Sequence, residues 1–482
     1  MQIHKRVKTR IIVLLHIEIK LYTHMKQLIE DQVSAIKQVT NGKRILFACV
    51  PGDGHFNPLS GIAVHLKNIG YDVRWYVSNY YAAKVKKLGI HHYPLIDALD
   101  VTIENFEELL PGRDQAKTMV AKLNFDLTHF FIKRGPEYYK DLKTIYASFP
   151  YDLVIADCAF TALPFVSQKM NIPAIAMGIV PLAETSRDLP PYGLGMIPSY
   201  SLFGKVKQAA LRWVAKNILF KKSNKVLAEV CAEYGMPYEG QNVFDYIIKK
   251  STLVLQSATP GFEYKRSDIN KNVRFVGPLL PYSAAKNNSP WFNEKLNKYE
   301  KVVLITQGTV ERDVTKLIRP TLEAFKGSDT LVVVTTGGSC TDELRKDYNY
   351  NNIIIEDFIP FGDVMPHSDV YITNGGYGGV LLGIENELPM VVAGVHEGKS
   401  EICARVGYFK LGINLKTEKP KPAQIKKAVD AILKDGSYKA NVSKLAKEFS
   451  TYNTNELVAT YVQSLIAGTP TKTVQVNEES VY

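Results

Sequence analysis

The chain has 482 residues, which is enough for two or three domains and excludes a single small module. Hydrophobic residues make up 46% of the sequence and charged residues 22%, which is typical of a folded globular protein and excludes a disordered chain. The net charge of +11 brings nucleic acid and anionic membranes into consideration, but the cations are scattered along the chain, so we predict no nucleic-acid partner and no stable membrane insertion.

We predict that residues 1–43 form an N-terminal extension of a cytoplasmic protein. Residues 1–17 resemble a signal peptide, with a basic and then an apolar region, but no small-residue cleavage site follows. The internal Met25 leaves open whether residues 1–24 belong to the native protein. No apolar stretch reaches the roughly 18 to 20 residues that cross a bilayer. The five cysteines lack metal-ligand spacing, which favours a reducing compartment.

The first half of the chain predicts a parallel sheet. A strand over residues 44–50 leads into a glycine-rich turn, a helix over residues 58–70 and a second strand over residues 72–77. This order is a βαβ unit, and repeated units build a doubly wound sheet. Further strands are predicted at residues 152–156, 174–179 and 252–256, and the last is expected to close the sheet.

The second half repeats the pattern after a segment rich in Pro, Asn, Ser and Ala, which has the composition of a linker. Strands are predicted at residues 301–305, 331–335, 352–356, 370–373 and 390–393, and helices within residues 422–466. Because the pattern restarts after the linker, it favours two domains over one large sheet. We therefore predict an α/β protein with two Rossmann-like, doubly wound parallel-sheet domains.

The motif NGGYGG, residues 374–379, follows the predicted strand at residues 370–373. Glycines at a strand-to-helix turn let backbone N–H groups approach an anion, and the helix N-terminus adds partial positive charge, so the motif favours a diphosphate. A second turn, residues 307–309, is expected at the same carboxyl edge of the sheet, where ligands bind. A tight turn without a ligand remains the alternative for either turn alone.

Three ordered segments resemble the family 1 nucleotide-sugar glycosyltransferases of GT-B fold: RILFACVPGDGHFNPL, DLVIAD and EDFIPFGDVMPHSDVYITNGGYGG with LPMVV downstream. The similarity is greatest to the bacterial enzymes that glycosylate macrolides and flavonoids, and it covers residues 44–466. It implies two domains that face each other across a cleft. This two-domain fold works as a monomer. The predicted regions are an acceptor-binding domain (44–275), a linker (276–300), a donor-binding domain (301–447), a helix returning to the first domain (448–467) and a disordered tail (468–482).

The resemblance implies an inverting transfer of a sugar from a UDP-sugar, or a dTDP-sugar such as dTDP-rhamnose, to a hydroxyl of a hydrophobic small molecule such as a flavonoid. The nucleotide-sugar is a co-substrate, so no cofactor and no metal are expected. His55 matches the family's catalytic base and Asp157 the carboxylate that orients it. An imidazole can take a proton from a hydroxyl at neutral pH, and an Asp on its other nitrogen fixes the tautomer. A lone loop histidine is more often structural, so the assignment of His55 as the base depends on its pairing with Asp157.

The resemblance also assigns the donor site. Phe358 stands where the family has a Trp that stacks on the base, and the backbone of Ile359 would contact the base edge. Thr309 and the amides of Gly378 and Gly379 would hold the diphosphate. The full predicted donor-binding set is Gly54, Gln307, Gly308, Thr309, Phe358, Ile359, Phe361, Asn374, Gly375, Gly376, Gly378, Gly379, Glu397, Gly398 and Lys399.

Several positions depart from the family's pattern. The replacements are Asn374 for a phosphate-binding His, Phe361 for a Gln, Leu382 for the Glu that holds the ribose hydroxyls, and Gly398-Lys399 for an Asp-Gln pair that reads sugar hydroxyls. Lys399 would supply a cation to the diphosphate or the sugar, Glu397 would bind sugar hydroxyls, and Glu385 is a substitute candidate at the ribose. Because a leucine removes the reason to require a 2′-hydroxyl, we predict that a dTDP-deoxysugar is accepted alongside or instead of a UDP-sugar.

Residues 105–131 and 181–220 are rich in Phe, Leu, Tyr and Pro, which suits the lining of an apolar acceptor pocket, with core packing as the alternative. Other functions remain open at this point. They are a sugar-nucleotide epimerase or a membrane glycolipid transferase of the same fold, and an inactive nucleotide-sugar-binding protein.

Overall fold

The computed structural model describes residues 40, 42–102, 104–282, 290–308, 311–396 and 398–468. Nearly all of the predicted N-terminal extension and the tail after residue 468 lie outside these residues, as do Thr309 and Glu397 of the predicted donor site. The described chain folds into two α/β domains, each built on a parallel sheet. The predicted fold class is therefore confirmed.

Seven strands form the sheet of the first domain. Their bounds are β1 (Arg44–Ala48), β2 (Asp72–Tyr76), β3 (His91–Tyr93), β4 (Leu153–Asp157), β5 (Ala174–Gly178), β6 (Leu253–Ser257) and β7 (Val273–Gly277). They lie in the order β3-β2-β1-β4-β5-β6-β7, so the order reverses between β1 and β4. The prediction that β6 closes the sheet was wrong, because β7 pairs beyond it and runs into the predicted linker.

Six strands form the second sheet. Their bounds are β8 (Lys301–Thr306), β9 (Thr330–Thr335), β10 (Ile353–Glu356), β11 (Val370–Thr373), β12 (Met390–Val392) and β13 (Gly412–Asn414). The order β10-β9-β8-β11-β12-β13 repeats that of the first sheet, with the reversal between β8 and β11. The short strands β3 and β13 were not predicted, since three residues carry too little pattern to be recognised.

Helices cover both faces of each sheet. In the first domain they are α1 (Asp53–Asn68), α2 (Ala82–Lys87), α3 (Phe106–Leu109), α4 (Met119–Phe125), α5 (Arg134–Ser148), α6 (Leu163–Phe165), α7 (Leu202–Val214), α8 (Lys221–Glu233) and α9 (Val243–Lys250). The others are α10 (Ile318–Phe325), α11 (Thr341–Asp347), α12 (Phe361–Val364), α13 (Tyr377–Glu385), α14 (Lys399–Tyr408), α15 (Pro422–Lys434), α16 (Ser437–Phe449) and α17 (Thr454–Ile466).

The strands form where the sequence is continuously apolar, because both faces of a parallel sheet are buried. Along β1, Ile45 and Phe47 pack into the core on one face while Leu46 and Ala48 pack into the core on the other. These two cores hold the first sheet between its helices, and two further cores do the same for the second sheet.

The last helix, α17, packs against α1 and β7 of the first domain. Its Val458 and Val462 are buried in the same core as Ile62 of α1. The chain thus returns to the first domain after completing the second. Among the helices of the described residues, none has the length and apolar character needed to span a membrane.

Candidate active site

His55 and Asp157 meet at the carboxyl edge of the first sheet. β1 and β4 are parallel neighbours, so the residues that follow them emerge side by side at the reversal point. Asp157 is the last residue of β4, and His55 lies in the first turn of α1. The helix predicted from residue 58 is present but begins earlier: α1 starts at Asp53, after the extended cap residue Gly52, and Pro58 lies inside it.

The Asp157 carboxylate is fully buried and accepts three hydrogen bonds. Its Oδ2 accepts the Val50 N–H at 2.8 Å, and its Oδ1 accepts the Ala159 N–H at 2.8 Å. The third partner is His55 Nδ1, 3.0 Å from Oδ1. Since an ionised carboxylate only accepts, Nδ1 carries the hydrogen and the other ring nitrogen, Nε2, is left as an acceptor in the neutral imidazole. Burial, and then the charge of Asp157, raise the pKa of the neighbouring Cys49 thiol, so that thiol stays protonated.

The two glycine turns of the second domain also meet at a reversal point. β8 and β11 are parallel neighbours, and Asn374 Nδ2 after β11 donates a hydrogen bond to the Gln307 carbonyl oxygen after β8. Gly375 has φ of +78°, and a Cβ at this position would overlap the sulfur of Cys403. The chain therefore requires glycine where it enters α13.

Helix α13 presents its N-terminus at this edge. Gly376 is its cap residue, and Gly378 and Gly379 lie in its first turn, where backbone N–H groups have no acceptor within the helix. Gly308, with φ of +76°, leaves open space where a side chain would stand. Of the sequence-predicted glycines, Gly308, Gly375, Gly376, Gly378 and Gly379 are thus brought to one edge, and their arrangement suits an anion. Gly54 instead lies in the first turn of α1, in the first domain.

The Gln307 side chain does not point to this opening. Its Oε1 accepts the N–H groups of Leu317 and Ile318 at 2.9 and 2.8 Å, and its Nε2 donates to the Asp313 carbonyl at 3.0 Å. The amide therefore holds the segment before α10, through both its oxygen and its NH₂ group. Only the backbone of Gln307 remains for the donor contact that the sequence predicted.

The residues predicted to bind the base differ in exposure. Phe358 is 68% exposed, so its ring is not part of the core, whereas Ile359 is buried in the core of the second domain. Phe361 begins α12 and packs partly against that core, as does Leu382 on α13. An exposed aromatic ring at a sheet edge is available for stacking on a ligand.

Glu385 ends α13, about 13 Å along the helix from Gly376. It lines a cavity of about 710 Å³ together with Ile62 and His65 of α1. Glu385 therefore faces the space between the domains rather than the glycine turn. At the other side of the turn, Gly398, with φ of +77°, caps α14 and Lys399 is the first residue of that helix.

The chain is 32% identical over 410 residues to the 4′-demethylrebeccamycin synthase of Lentzea aerocolonigenes, a match that covers 85% of this chain and 96% of that relative. The chain belongs to the family 1 nucleotide-sugar glycosyltransferases. The glycosyltransferase is also 30% identical over 439 residues to UDP-glucosyltransferase 1 of Beauveria bassiana, covering 84% of this chain and 91% of the relative. Residues 320–465 match the model of the erythromycin biosynthesis protein CIII-like C-terminal domain.

The solved structure of CalG4, the calicheamicin glycosyltransferase, has the same fold as this glycosyltransferase. The TM-score is 0.67 at 20% identity, and the match covers 88% of this chain and 98% of CalG4. The architecture is therefore GT-B. Together with the relatives, it makes this protein a nucleotide-sugar glycosyltransferase of the natural-product type.

The glycosyltransferase also has a buried ion cluster between its domains that the sequence did not reveal. Arg405 of α14 contacts Glu263 Oε2 of the first domain at 2.8 Å through Nη2 and Glu401 Oε2 at 3.1 Å through Nη1. All three side chains are at most 5% exposed. Burial acts to lower the pKa of Arg405, but the charges of Glu263 and then Glu401 outweigh it and raise the pKa.

The inter-domain ion cluster, Glu263, Glu401 and Arg405, also holds a loop of the first domain. Glu401 Oε1 accepts the N–H groups of Gly193 and Gly195 at 2.9 Å each. The loop over residues 181–200, part of the predicted acceptor region, is therefore fastened to the helix that begins at Lys399. Sequence reasoning missed this because Glu263 and Arg405 are 142 positions apart.

Proposed function

We propose that the enzyme transfers a sugar with inversion, with His55 as the general base and Asp157 as the residue that orients it. The observation that carries the proposal is the 3.0 Å contact between His55 Nδ1 and the buried Asp157 carboxylate. A carboxylate in this position holds the tautomer with a free Nε2 and stabilises the imidazolium formed during the reaction. General-base assistance of this kind contributes about 10²- to 10⁴-fold in rate.

The proposed reaction is one displacement. The acceptor O–H proton moves to His55 Nε2 while the hydroxyl oxygen forms a bond to the anomeric carbon. The bond from that carbon to the diphosphate oxygen breaks, and the nucleoside diphosphate leaves with the electron pair. No cofactor or metal is part of the proposal: the N–H groups at the start of α13, with Lys399, would stabilise the leaving charge.

The proposed donor site combines the exposed ring of Phe358, stacked on the base, with the glycine edge at the diphosphate. Leu382, packed against the core, offers no group to a ribose hydroxyl. We therefore propose that dTDP-rhamnose or a similar dTDP-deoxysugar serves alongside or instead of a UDP-sugar. Competition between UDP-glucose and dTDP-rhamnose for one acceptor tests this. Turnover with UDP-glucose and none with dTDP-rhamnose would contradict it.

The proposed acceptor is a hydrophobic molecule with a phenolic hydroxyl, such as a flavonoid. A phenol has an ordinary pKa of about 10, so it loses its proton to a base more readily than an aliphatic alcohol. Mass spectrometry of a flavonoid mixture with UDP- and dTDP-sugars should show acceptors heavier by one sugar. Conversion of the donor without any acceptor would instead support an epimerase.

The first variant to make is His55→Ala. We expect the rate of transfer to fall by about 10²- to 10⁴-fold, while the affinity for the free nucleoside diphosphate is unchanged, since the proposed nucleotide site lies in the other domain. Single-turnover transfer and calorimetric nucleotide titration give the two quantities. His65→Ala, on the same helix but away from its N-terminus, is the matched control. Equal loss of transfer and nucleotide binding in His55→Ala would indicate a structural histidine.

A further inference from the structure

Helix α7 turns polar side chains toward the protein. The Gln208 side chain is buried, donating to the Asp188 carbonyl at 3.0 Å and accepting the Ser199 N–H at 2.6 Å. One turn further on, Arg212 Nη1 donates to the Leu189 carbonyl at 2.5 Å. A surface helix normally buries its apolar face. The inward face of α7 is instead bound to the preceding loop by polar contacts.

The outward face of α7 is apolar. Leu202 is 86% exposed, Phe203 80%, Val206 70% and Trp213 62%. Their spacing places Leu202, Val206 and Trp213 along one side of the helix, with Phe203 next to them. Single exposed apolar residues are normal, but a contiguous group marks a surface for interaction. These four side chains lie within residues 181–220 and face solvent, so they are not part of the core, which was the alternative for this segment.

The chain segment that contains this face carries an excess of positive charge, although Asp188 and Glu229 border it and Glu229 pairs with Lys225 at 3.7 Å. Residues 189–228 contain six lysines and one arginine and no aspartate or glutamate. All six lysines are exposed, at Lys205, Lys207, Lys216, Lys221, Lys222 and Lys225. The cations of the whole sequence are scattered, but here Lys205 and Lys207 lie on α7 itself and the other four follow within 11 residues of its end.

We propose that the α7 face, Leu202, Phe203, Val206 and Trp213 with the lysines around it, docks on an anionic lipid surface. An interfacial helix lies in the plane of the membrane with its apolar side chains at the boundary of the acyl chains and its lysines at the headgroups. Anionic lipids attract each such cation. A second copy of the chain is a poorer occupant, because a two-fold contact through this face would bring lysines against lysines.

The α7 face is connected through the chain to the proposed acceptor region and to α14. The loop over residues 181–200 leads directly into α7, and Glu401 fastens that loop to α14 through Gly193 and Gly195. Docking would therefore place the proposed acceptor region beside the lipid, where hydrophobic acceptors accumulate. Binding to lipid, however, does not depend on which donor or acceptor the enzyme uses.

The test is co-sedimentation of the full chain, without substrates, with vesicles of phosphatidylcholine alone or mixed with phosphatidylglycerol. We expect binding to the mixed vesicles, little binding to phosphatidylcholine, and release by high salt. Trp213 supplies a second readout, because its emission should shift to shorter wavelength on the mixed vesicles. Trp213→Phe should remove that shift, since Trp75 is fully buried and Trp291 packs against the core of the second domain, away from α7.

Two variants separate the contributions. Each cation near an anionic surface contributes about fivefold to partition, so Lys205→Glu with Lys207→Glu should weaken it by at least about 25-fold. Phe203→Ser with Trp213→Ser should also abolish most binding. The controls are exposed residues of α15 in the second domain: Lys427→Glu with Lys434→Glu, and Leu433→Ser, which should bind as the unchanged protein does.

Three outcomes would overturn the proposal. They are equal binding to both vesicle types, binding unaffected by the α7 variants, and absence of binding. A concentration-dependent dimer in sedimentation velocity that Phe203→Ser abolishes would assign the face to a second copy instead. Thermal unfolding of each variant verifies that it is folded, which is expected because the substituted side chains are exposed.

Discussion

The carboxylate of Asp157 accepts two backbone N–H groups, from Val50 and Ala159, besides the ring of His55. An asparagine in its place would have one oxygen and one NH₂ group for three donors, so its NH₂ would face an N–H or the imidazole would have to change tautomer. A residue that only accepts is therefore required both by the local backbone and by the proposed base.

We expect Asp157→Asn to lower the rate of transfer by about 10²- to 10⁴-fold and the stability by about 1–3 kcal/mol, since one buried donor loses its acceptor. Single-turnover transfer and urea unfolding measure the two effects. Asp152→Asn is the matched control: Asp152 accepts the Arg44 N–H at 2.8 Å at the opposite edge of the same sheet. If Asp157→Asn loses stability but each folded molecule keeps its rate, the carboxylate is structural only.

At the scale of elements, α14 joins the two domains. It begins beside the glycine edge with Lys399 and carries both Glu401 and Arg405 of the inter-domain ion cluster. The Tyr264 ring lies 4.3 Å from the Arg405 guanidinium carbon, so the cation is covered on its face as well as paired at its edge. Removing one member leaves buried charge without compensation.

Arg405→Met should therefore destabilise the protein by about 3–5 kcal/mol, because Glu401 stays buried without the Arg405 cation and Glu263 keeps only the more distant Arg266, at 3.9 Å. Lys298→Met, which removes an exposed pair with Glu294 at 3.9 Å, should cost less than about 1 kcal/mol. Urea unfolding midpoints compare the two. An equally small effect of both would mean that the contact between the domains does not rest on the cluster.

For the whole molecule, the sequence predicted the features that apolar runs and turn glycines indicate, which are the buried strands and the turns that follow them. The strands that flank both reversal points were found because each is continuously apolar, and the doubled pattern predicted two sheets. His55 and Asp157 were identified through the resemblance, since 102 positions separate them. The pairing of Glu263 with Arg405 and the outward apolar side of α7 depend on how separate elements pack, which no local pattern records.

Removing the last helix, α17, tests whether the first domain depends on it. Ending the chain after residue 452 removes α17 and exposes the core that Val458 and Val462 fill on α1, so we expect a lower unfolding temperature or insoluble protein. Ending it after residue 468 keeps the helix, and this matched truncation should unfold at the temperature of the full chain. Circular dichroism on heating measures both. Unchanged unfolding of the shorter chain would show that α17 contributes little to the first domain.

The return of α17 makes the second domain an insertion within the first. The two crossings lie side by side, since Thr454 Oγ1 donates a hydrogen bond to the Pro278 carbonyl at 3.2 Å. A domain whose two ends lie close together is readily inserted into another domain. A chimera with a related enzyme should therefore have two junctions, near residues 278 and 453. The second domain of the relative then replaces the residues between them, and the first domain keeps its own α17.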